Sequence, residues 1–234
     1  MKFSVDPMIF EKFPGVVIGV VAITSINNTG HNEELLKLLR AEEARQKELL
    51  KDVELGSLHE VSAWRQIYKD FGSGGKDYRS SVESLLRRAR GGQKPLPQIN
   101  NLVDLYNYIS LKYRLPSGAE DLDKVVGDIS LTFAKGDEKG VALGKSEEES
   151  CYSGEVIYKD GEGFICRRWN WREADRTKID EHTKNAVLVI EKVVQVGDDV
   201  LGVALSEVKS LIGSYLSATC QVFQLSSIKQ EVEC

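Results

Sequence analysis

The spacing of apolar residues changes near residue 129, and this change limits the folds that the chain can adopt. Before that point, apolar residues recur mostly at helical spacing, as in 32–54. After it, short β-branched runs are typical of strands, and 160–163 has the composition of a hairpin turn. An apolar strand pattern at 16–26 and a helical stripe at 201–215 mix the two kinds of element. We therefore expect a layered α/β fold, a three-layer mixed sheet flanked by helices.

One predicted helix ends in a cluster of arginines. Ser80 and Glu83 have the spacing of a capping box at its start. Arg87, Arg88 and Arg90 crowd its last turn, where the helix dipole favours cations. Two interpretations stay open: charge complementarity at the helix end, or contact with an anion such as a phosphate, for which Arg87 is the candidate.

Composition narrows the classes of function. The 234 residues include 31 Lys+Arg and 36 Asp+Glu, a net charge of −5, whereas proteins that follow long nucleic acid backbones are usually basic. We expect no DNA partner, and only local contact with any RNA. The four cysteines have no zinc-ligand spacing, so we expect no metal and no cofactor. The apolar run 16–23 is too short to span a bilayer and no signal peptide is apparent, so we expect a cytoplasmic protein.

A ten-residue motif carries a family resemblance. Residues 99–108 read Ile-Asn-Asn-Leu-Val-Asp-Leu-Tyr-Asn-Tyr, and Pro116, 121–124 and 127–129 follow in order, as does the threonine-led strand 183–191. This series resembles the B3/B4 module of phenylalanyl-tRNA synthetase beta chains.

The resemblance covers 78–192 of what we expect to be a single domain, 1–234. Residues 1–77 have no counterpart that we can place in the synthetase and form a family-specific N-terminal part. Residues 193–234 form a closing helix and strand.

The resemblance implies a fold and an activity. In the family, a pocket in a three-layer α/β domain receives the aminoacylated 3′ end of a tRNA and hydrolyses tyrosine wrongly joined to the phenylalanine tRNA. Asn107 belongs to the motif and is a candidate substrate-binding residue, although capping or turn hydrogen bonding is the alternative role of such a residue. No aminoacylation motif accompanies the module here, so we expect no amino acid activation.

Two departures from the family pattern leave the amino acid open. Where the family has a histidine two residues after a proline, this chain has Gly118. The family's glycine-rich segment before the threonine strand is replaced by 166–173, which reads Cys-Arg-Arg-Trp-Asn-Trp-Arg-Glu.

The segment 168–173 holds the candidate chemistry. Trp169 and Trp171 can stack on an adenine or clamp an amino acid side chain, and Arg168 can hold a phosphate or carboxylate. Asn170 and Glu173 are the candidate catalytic residues: the amide would bind the ester carbonyl or the α-amino group, and the carboxylate would orient or activate a water. Alternatively the tryptophans pack in the core or at a subunit contact, and Arg168 and Glu173 form a structural salt bridge.

Three functions fit these observations. The first is hydrolysis in trans of mischarged aminoacyl-tRNA. The second is a binding module that holds a tRNA end or a free amino acid without turnover. The third is a small-molecule enzyme on the same fold, because a fold does not fix a function. The oligomeric state stays open.

Overall fold

Helices and strands mix along the whole chain in the computed structural model, which describes residues 1–74, 77–91, 94–193 and 199–234. The helices are α1 (Pro7–Lys12), α2 (Glu33–Leu49), α3 (His59–Asp70), α4 (Ser81–Gly91), α5 (Asn101–Tyr113) and α6 (Val200–Leu216), with 3-10 turns at Leu55–Ser57 and Leu122–Lys124. The strands are β1 (Lys2–Val5), β2 (Val17–Thr24), β3 (Ser117–Asp121), β4 (Ile129–Phe133), β5 (Lys139–Val141), β6 (Glu148–Ser150), β7 (Val156–Lys159), β8 (Phe164–Arg167), β9 (Arg172–Glu173), β10 (Ala186–Lys192), β11 (Thr219–Leu225) and β12 (Glu231–Glu233). The sequence pattern predicts a strand over 186–196, and β10 is observed over Ala186–Lys192; the end of the predicted range lies outside the described residues.

The strands divide between two large sheets. One has the order β12-β1-β4-β7-β8-β9 and the other the order β11-β2-β10-β3, while β5 and β6 form a separate pair. In the four-stranded sheet, β10 lies between β2 and β3 and pairs antiparallel with both. β2 and β10 are buried on both faces along most of their length, which accounts for their nearly continuous β-branched and leucine content.

The four-stranded sheet is the middle of three layers. Helix α6 packs on one face, where Gly19 of β2 lies so close that an added Cβ would be 2.8 Å from a methyl of Leu205. The other face meets the six-stranded sheet, and the Tyr158 hydroxyl of β7 donates a 2.6 Å hydrogen bond to Oε1 of Glu191 on β10. The α/β class is thus confirmed, with helices, a four-stranded sheet and a six-stranded sheet as layers.

The asparagines of the motif at 99–108 hold elements together. Asn100 caps α5 by accepting a 3.0 Å hydrogen bond from the Val103 backbone. Asn101 accepts a 2.8 Å hydrogen bond from the backbone of Asn32, the residue that caps α2. The adjacent residues Asn100 and Asn101 therefore connect the starts of α5 and α2.

Within the described part of the chain, no helix combines the length and the apolar character needed to cross a bilayer.

Candidate functional site

A cavity of about 420 Å³ opens between the two large sheets, with α4 along one side. Five of its lining residues come from one face of the four-stranded sheet: Gly118 and Glu120 of β3, and Val187, Val189 and Glu191 of β10. They share this face because alternate residues of a strand point the same way, and the two strands pair Gly118 with Val189 and Glu120 with Val187. The volume lies in the range of small-molecule sites.

The opposite wall comes from the six-stranded sheet and from α4. Tyr158 of β7, Cys166 of β8 and Glu173 of β9 line it, and the register pairs Cys166 with both of the others. Arg172 and the exposed Arg88 are the cationic residues among the lining that the structure describes. The cavity therefore combines three carboxyl groups with two arginines.

All three carboxyl groups have raised pKa values. Burial raises the pKa of Glu173 to about 7, with the backbone of Ala119 acting in the opposite direction. Burial, followed by the charge of Glu173, raises the pKa of Glu120 well above its ordinary value. Burial also raises the pKa of Glu191 to about 7, against hydrogen bonds from Tyr158 and from Asn170. A carboxyl group that titrates near neutrality is suited to proton transfer.

Asn170 is the centre of a buried hydrogen-bond network. Its side-chain Nδ2 donates to Oε2 of Glu191, and its Oδ1 accepts a 3.0 Å hydrogen bond from the Tyr68 hydroxyl. Its backbone carbonyl accepts from the Ser81 amide at the start of α4, at 3.1 Å. Asn170 therefore ties β10, α3 and α4 together beside the cavity.

The two tryptophans diverge at a tight turn between β8 and β9. Arg168 and Trp169 both have positive φ, 46° and 64°, which reverses the chain. Trp169 is fully buried in the core, edge-on to Phe13 at 5.3 Å and to Trp64 at 5.2 Å between ring centroids. Trp171 keeps partial exposure and lines the cavity. Residues two apart share a face only while the strand continues, and β8 ends at Arg167.

Arg168 lies behind the cavity wall. It is 2% exposed, with its guanidinium 3.7 Å from the ring centroid of Tyr78 and 4.9 Å from that of Trp171. Glu155 is 3.9 Å away, whereas the predicted salt bridge to Glu173 is not among the ion pairs of the described residues. The stacked guanidinium fixes the orientation of Trp171.

The predicted site residues separate into three groups. The cavity is lined by Glu173, Asn170, Trp171 and the fully buried Trp169. Arg168 supports that wall from inside the protein. Asn107 lies half-buried on α5, away from the lining, and Arg87 lies on the other side of α4 at a second cavity.

The second cavity, of about 840 Å³, is basic. Arg65, Lys69, Arg79 and Arg87 line it around the buried Glu83. Arg65 binds Glu83 with two hydrogen bonds of 3.0 and 2.8 Å, and Arg87 binds it with one of 2.9 Å. One carboxylate cannot neutralise four cations, so this surface keeps an excess of positive charge. We call these four cationic residues the basic cluster.

Sequence reasoning missed Glu120 and Glu191. Glu191 is the last residue of the segment 183–191 that resembles the synthetase module, but the sequence analysis assigned no role to it. Glu120 offered no sequence signal, because no strand was predicted over 117–121. Neither buried cysteine has the lowered pKa that activates a thiol nucleophile: burial raises the pKa of Cys151 to about 12, and burial with nearby carboxylates raises that of Cys166 well above its ordinary value. Among the described residues, no group of three or more side chains is arranged to hold a metal ion.

Comparison with known proteins gives three findings. The B3/4 domain family model matches residues 63–196. The phenylalanine–tRNA ligase beta subunit of Fusobacterium nucleatum is 34% identical over 90 residues, which are 38% of this chain and 11% of that protein. An N-terminal fragment of the phenylalanyl-tRNA synthetase beta subunit from Pyrococcus horikoshii aligns with a TM-score of 0.48 at 12% identity, over 95% of this chain and 53% of the fragment. The chain thus spans a small part of the curated relative, and a likeness below a TM-score of 0.5 adds nothing to the fold described above.

Proposed function

Because the chain belongs to the B3/4 domain family, we propose that it acts in trans in the cytoplasm as a hydrolase of mischarged aminoacyl-tRNA. The aminoacylated 3′ end of the tRNA would enter the cavity between the sheets. The observation that carries the proposal is the position of Glu173, whose carboxyl lies inside the cavity with its pKa raised by burial to about 7. Such a group is ionised in part at neutral pH and can accept a proton.

The proposed reaction needs no protein nucleophile. The Glu173 carboxylate accepts a proton from a water molecule as the water oxygen bonds to the ester carbonyl carbon. The bond from that carbon to the ribose oxygen then breaks, and the ribose oxygen takes a proton from Glu173. The products are a free amino acid and a deacylated tRNA, and Glu173 returns to its starting state.

Two neighbouring groups can stabilise the developing oxyanion. The Ser81 hydroxyl lines the cavity, and its Oγ is buried without a hydrogen-bond partner among the described residues. The exposed Arg88 lies about two turns further along the same face of α4 and also lines the cavity. A donor that is already in place when charge develops contributes more than one that must reorganise.

The tRNA end would be held by aromatic and cationic side chains. Trp171 offers a ring at the cavity wall for stacking with the terminal base. Arg87, with the other members of the basic cluster, would bind phosphates of the acceptor end. Asn170 is in this account a positioning residue, because both polar atoms of its amide are already engaged by Glu191 and Tyr68.

The experiment that tests the proposal is deacylation of a panel of aminoacyl-tRNAs, correctly and wrongly charged. Loss of the ester bond well above the spontaneous rate for one charged species supports the hydrolase. No acceleration for any species contradicts it.

Binding without turnover is the second candidate function. The engagement of Asn170 favours it, because the amide predicted to hold the ester carbonyl is occupied within the protein. Tight binding of a charged tRNA whose ester lifetime is unchanged would favour this function over hydrolysis.

A further inference from the structure

One carboxylate oxygen in the cavity has no partner. Glu120 is 7% exposed and lines the cavity, and its Oε2 is buried and accepts no hydrogen bond among the described residues. Glu191, in contrast, receives donors from Tyr158 and Asn170. A buried polar atom without a partner destabilises the protein, and more so if it is charged, and a hydrogen-bond donor of a ligand can recover that free energy. The unpaired oxygen therefore marks where a ligand donor is missing.

The nearest cation of the protein is not available to Glu120. The Thr177 hydroxyl lies close enough to lower the pKa of Glu120, although its Oγ1 is also buried without a hydrogen-bond partner among the described residues, and the charge of Arg176 lowers that pKa as well. Its guanidinium, however, is bound to both oxygens of Asp160 at 2.8 Å and to the backbone carbonyl of Lys124 at 2.7 Å. The cationic lining residues, Arg88 and Arg172, belong to the exposed and half-exposed part of the wall. The buried acids of the wall, Glu120 and Glu191, therefore have no buried cation beside them among the described lining residues.

We propose that Glu120 is the specificity residue of the cavity and receives the cationic side chain of a basic amino acid. The ligand is an amino acid with a side-chain ammonium or guanidinium, either free or esterified to a tRNA. This inference rests on the proposed function in taking the cavity between the sheets as the ligand site. Binding of the cationic side chain there does not depend on hydrolysis.

A cationic ligand also relates Glu120 to Glu173. The two carboxyl groups interact electrostatically, so that ionisation of one opposes ionisation of the other. A positive charge placed at Glu120 offsets that opposition, so that both carboxyl groups can be ionised together. A basic substrate would therefore let Glu120 ionise as its partner while Glu173 stays available as the base, whereas a neutral side chain of the same length would leave Glu120 protonated.

The test compares amino acid amides, which resist hydrolysis. L-lysinamide and L-norleucinamide share the α-ammonium group and nearly the same shape, and differ in the side-chain ammonium. Calorimetric titration of the full chain should show lysinamide bound at least about 10-fold more tightly, because a hydrogen bond to a charged group contributes about 1.5–3 kcal/mol. In Glu120→Gln the preference should fall below about 3-fold on the same reasoning. Glu48→Gln, an exposed change on α2, should retain it.

Several results would overturn the assignment. Norleucinamide or L-tyrosinamide binding as tightly as lysinamide would do so, as would an unchanged preference in Glu120→Gln. Absence of binding by every amide would also overturn it. Glu120→Gln removes the ionisable group and keeps the side-chain shape, and its folding is checked by circular dichroism; Glu120→Asp provides a second variant, which should weaken the preference.

Two comparisons separate this inference from the proposed function. Free lysine binding more tightly than lysinamide identifies a free amino acid as the ligand, and the reverse order identifies an esterified one; both support the cation site. A preference for lysinamide without deacylation of any tRNA contradicts only the hydrolase. Deacylation of tRNAs with no preference for a basic side chain contradicts only the role of Glu120.

Discussion

The Glu173 carboxyl lies against the backbone of Gly118, so that a Cβ atom at position 118 would be 2.9 Å from Oε1 of Glu173. Position 118 is where the resembling synthetase chains carry a histidine. The absence of a side chain at Gly118 therefore leaves the space that the Glu173 carboxylate from β9 occupies. The space beside β3 is filled by an acid from the other sheet.

Gly118→Ala should displace the Glu173 carboxyl without unfolding the protein. The backbone at Gly118 does not have a positive φ, and the contact that the methyl would make is with the end of a flexible side chain. Misplacement of a catalytic group by about 1 Å can cost about 100-fold in rate. We therefore expect a fall in deacylation of about 10- to 100-fold, measured under single-turnover conditions.

The matched control is Gly213→Ala. Gly213 lies in α6 with no atom within 4 Å of an added Cβ. It should leave the rate unchanged and slightly stabilise the helix. Full activity in Gly118→Ala would show that the position of Glu173 does not matter for the reaction.

Local patterns predicted the elements well where each pattern is continuous. The helix predicted at 32–54 is observed as α2, which ends at Leu49. The helix predicted from the capping box at Ser80 is observed as α4, and the strand predicted at 16–26 is observed as β2. The cavity was harder to foresee, because its acids come from β3, β9 and β10, strands whose meeting depends on how the two sheets face each other.

The neighbourhood of the site also depends on contacts distant in sequence. β1 pairs with β4 and with β12, so one edge of the six-stranded sheet is formed by residues from both ends of the chain. Short strands of this kind have weak local signals and form through pairing. Arg168 and Trp169 have positive φ although neither is a glycine, so the sequence did not indicate a turn there. The alternation of side chains along a strand would have placed Trp169 and Trp171 on one face, and their separation could not be predicted from it.

Trp169 and Trp171 should respond differently to replacement by alanine. Trp169 is fully buried among aromatic rings, and loss of a core tryptophan side chain costs about 3–5 kcal/mol. Trp171 lies at the cavity wall beside Tyr78 and should instead weaken substrate binding, with a smaller loss of stability. Urea denaturation and single-turnover titration with tRNA separate the two effects. Equal losses of stability would contradict the assigned positions.

The stability of the protein should fall as the pH rises through 7. Burial raises the pKa of Glu191 from 4.5 to about 7, so the folded state holds a proton that the unfolded state has lost. The stabilising contribution is full below about 4.5 and lost above about 7, a change on the order of 3 kcal/mol at 1.36 kcal/mol per pKa unit. We expect Glu191→Gln to reduce the fall in the free energy of unfolding between about pH 5 and 8, measured with urea.

Glu48→Gln, at an exposed position, should keep the full pH dependence of the unmodified protein. Glu173 has a raised pKa as well, so Glu191→Gln removes part of the dependence and not all of it. An identical pH profile in Glu191→Gln and the unmodified protein would contradict the burial of an ionisable Glu191.

The basic cluster should determine the salt dependence of tRNA binding. Each cation that neutralises a phosphate contributes about 0.7 to 0.9 to the slope of log affinity against log salt concentration. Lys69→Ala and Arg79→Ala should each reduce the magnitude of the slope by about that amount. Lys47→Ala, on the exposed face of α2, should leave it unchanged. If all three variants give the slope of the unmodified protein, the phosphates bind elsewhere.

The central claim is that Glu173 activates water in the cavity between the sheets, and it is tested most directly by Glu173→Gln. The measurement is the single-turnover rate of deacylation of the best charged tRNA as a function of pH, corrected for spontaneous hydrolysis. With Glu173 intact, we expect a rate that rises with pH and levels off above about 7, as its pKa predicts. Glu173→Gln should be slower by about 100-fold or more and lack that transition, whereas a variant that keeps the rate and the pH profile would contradict the account.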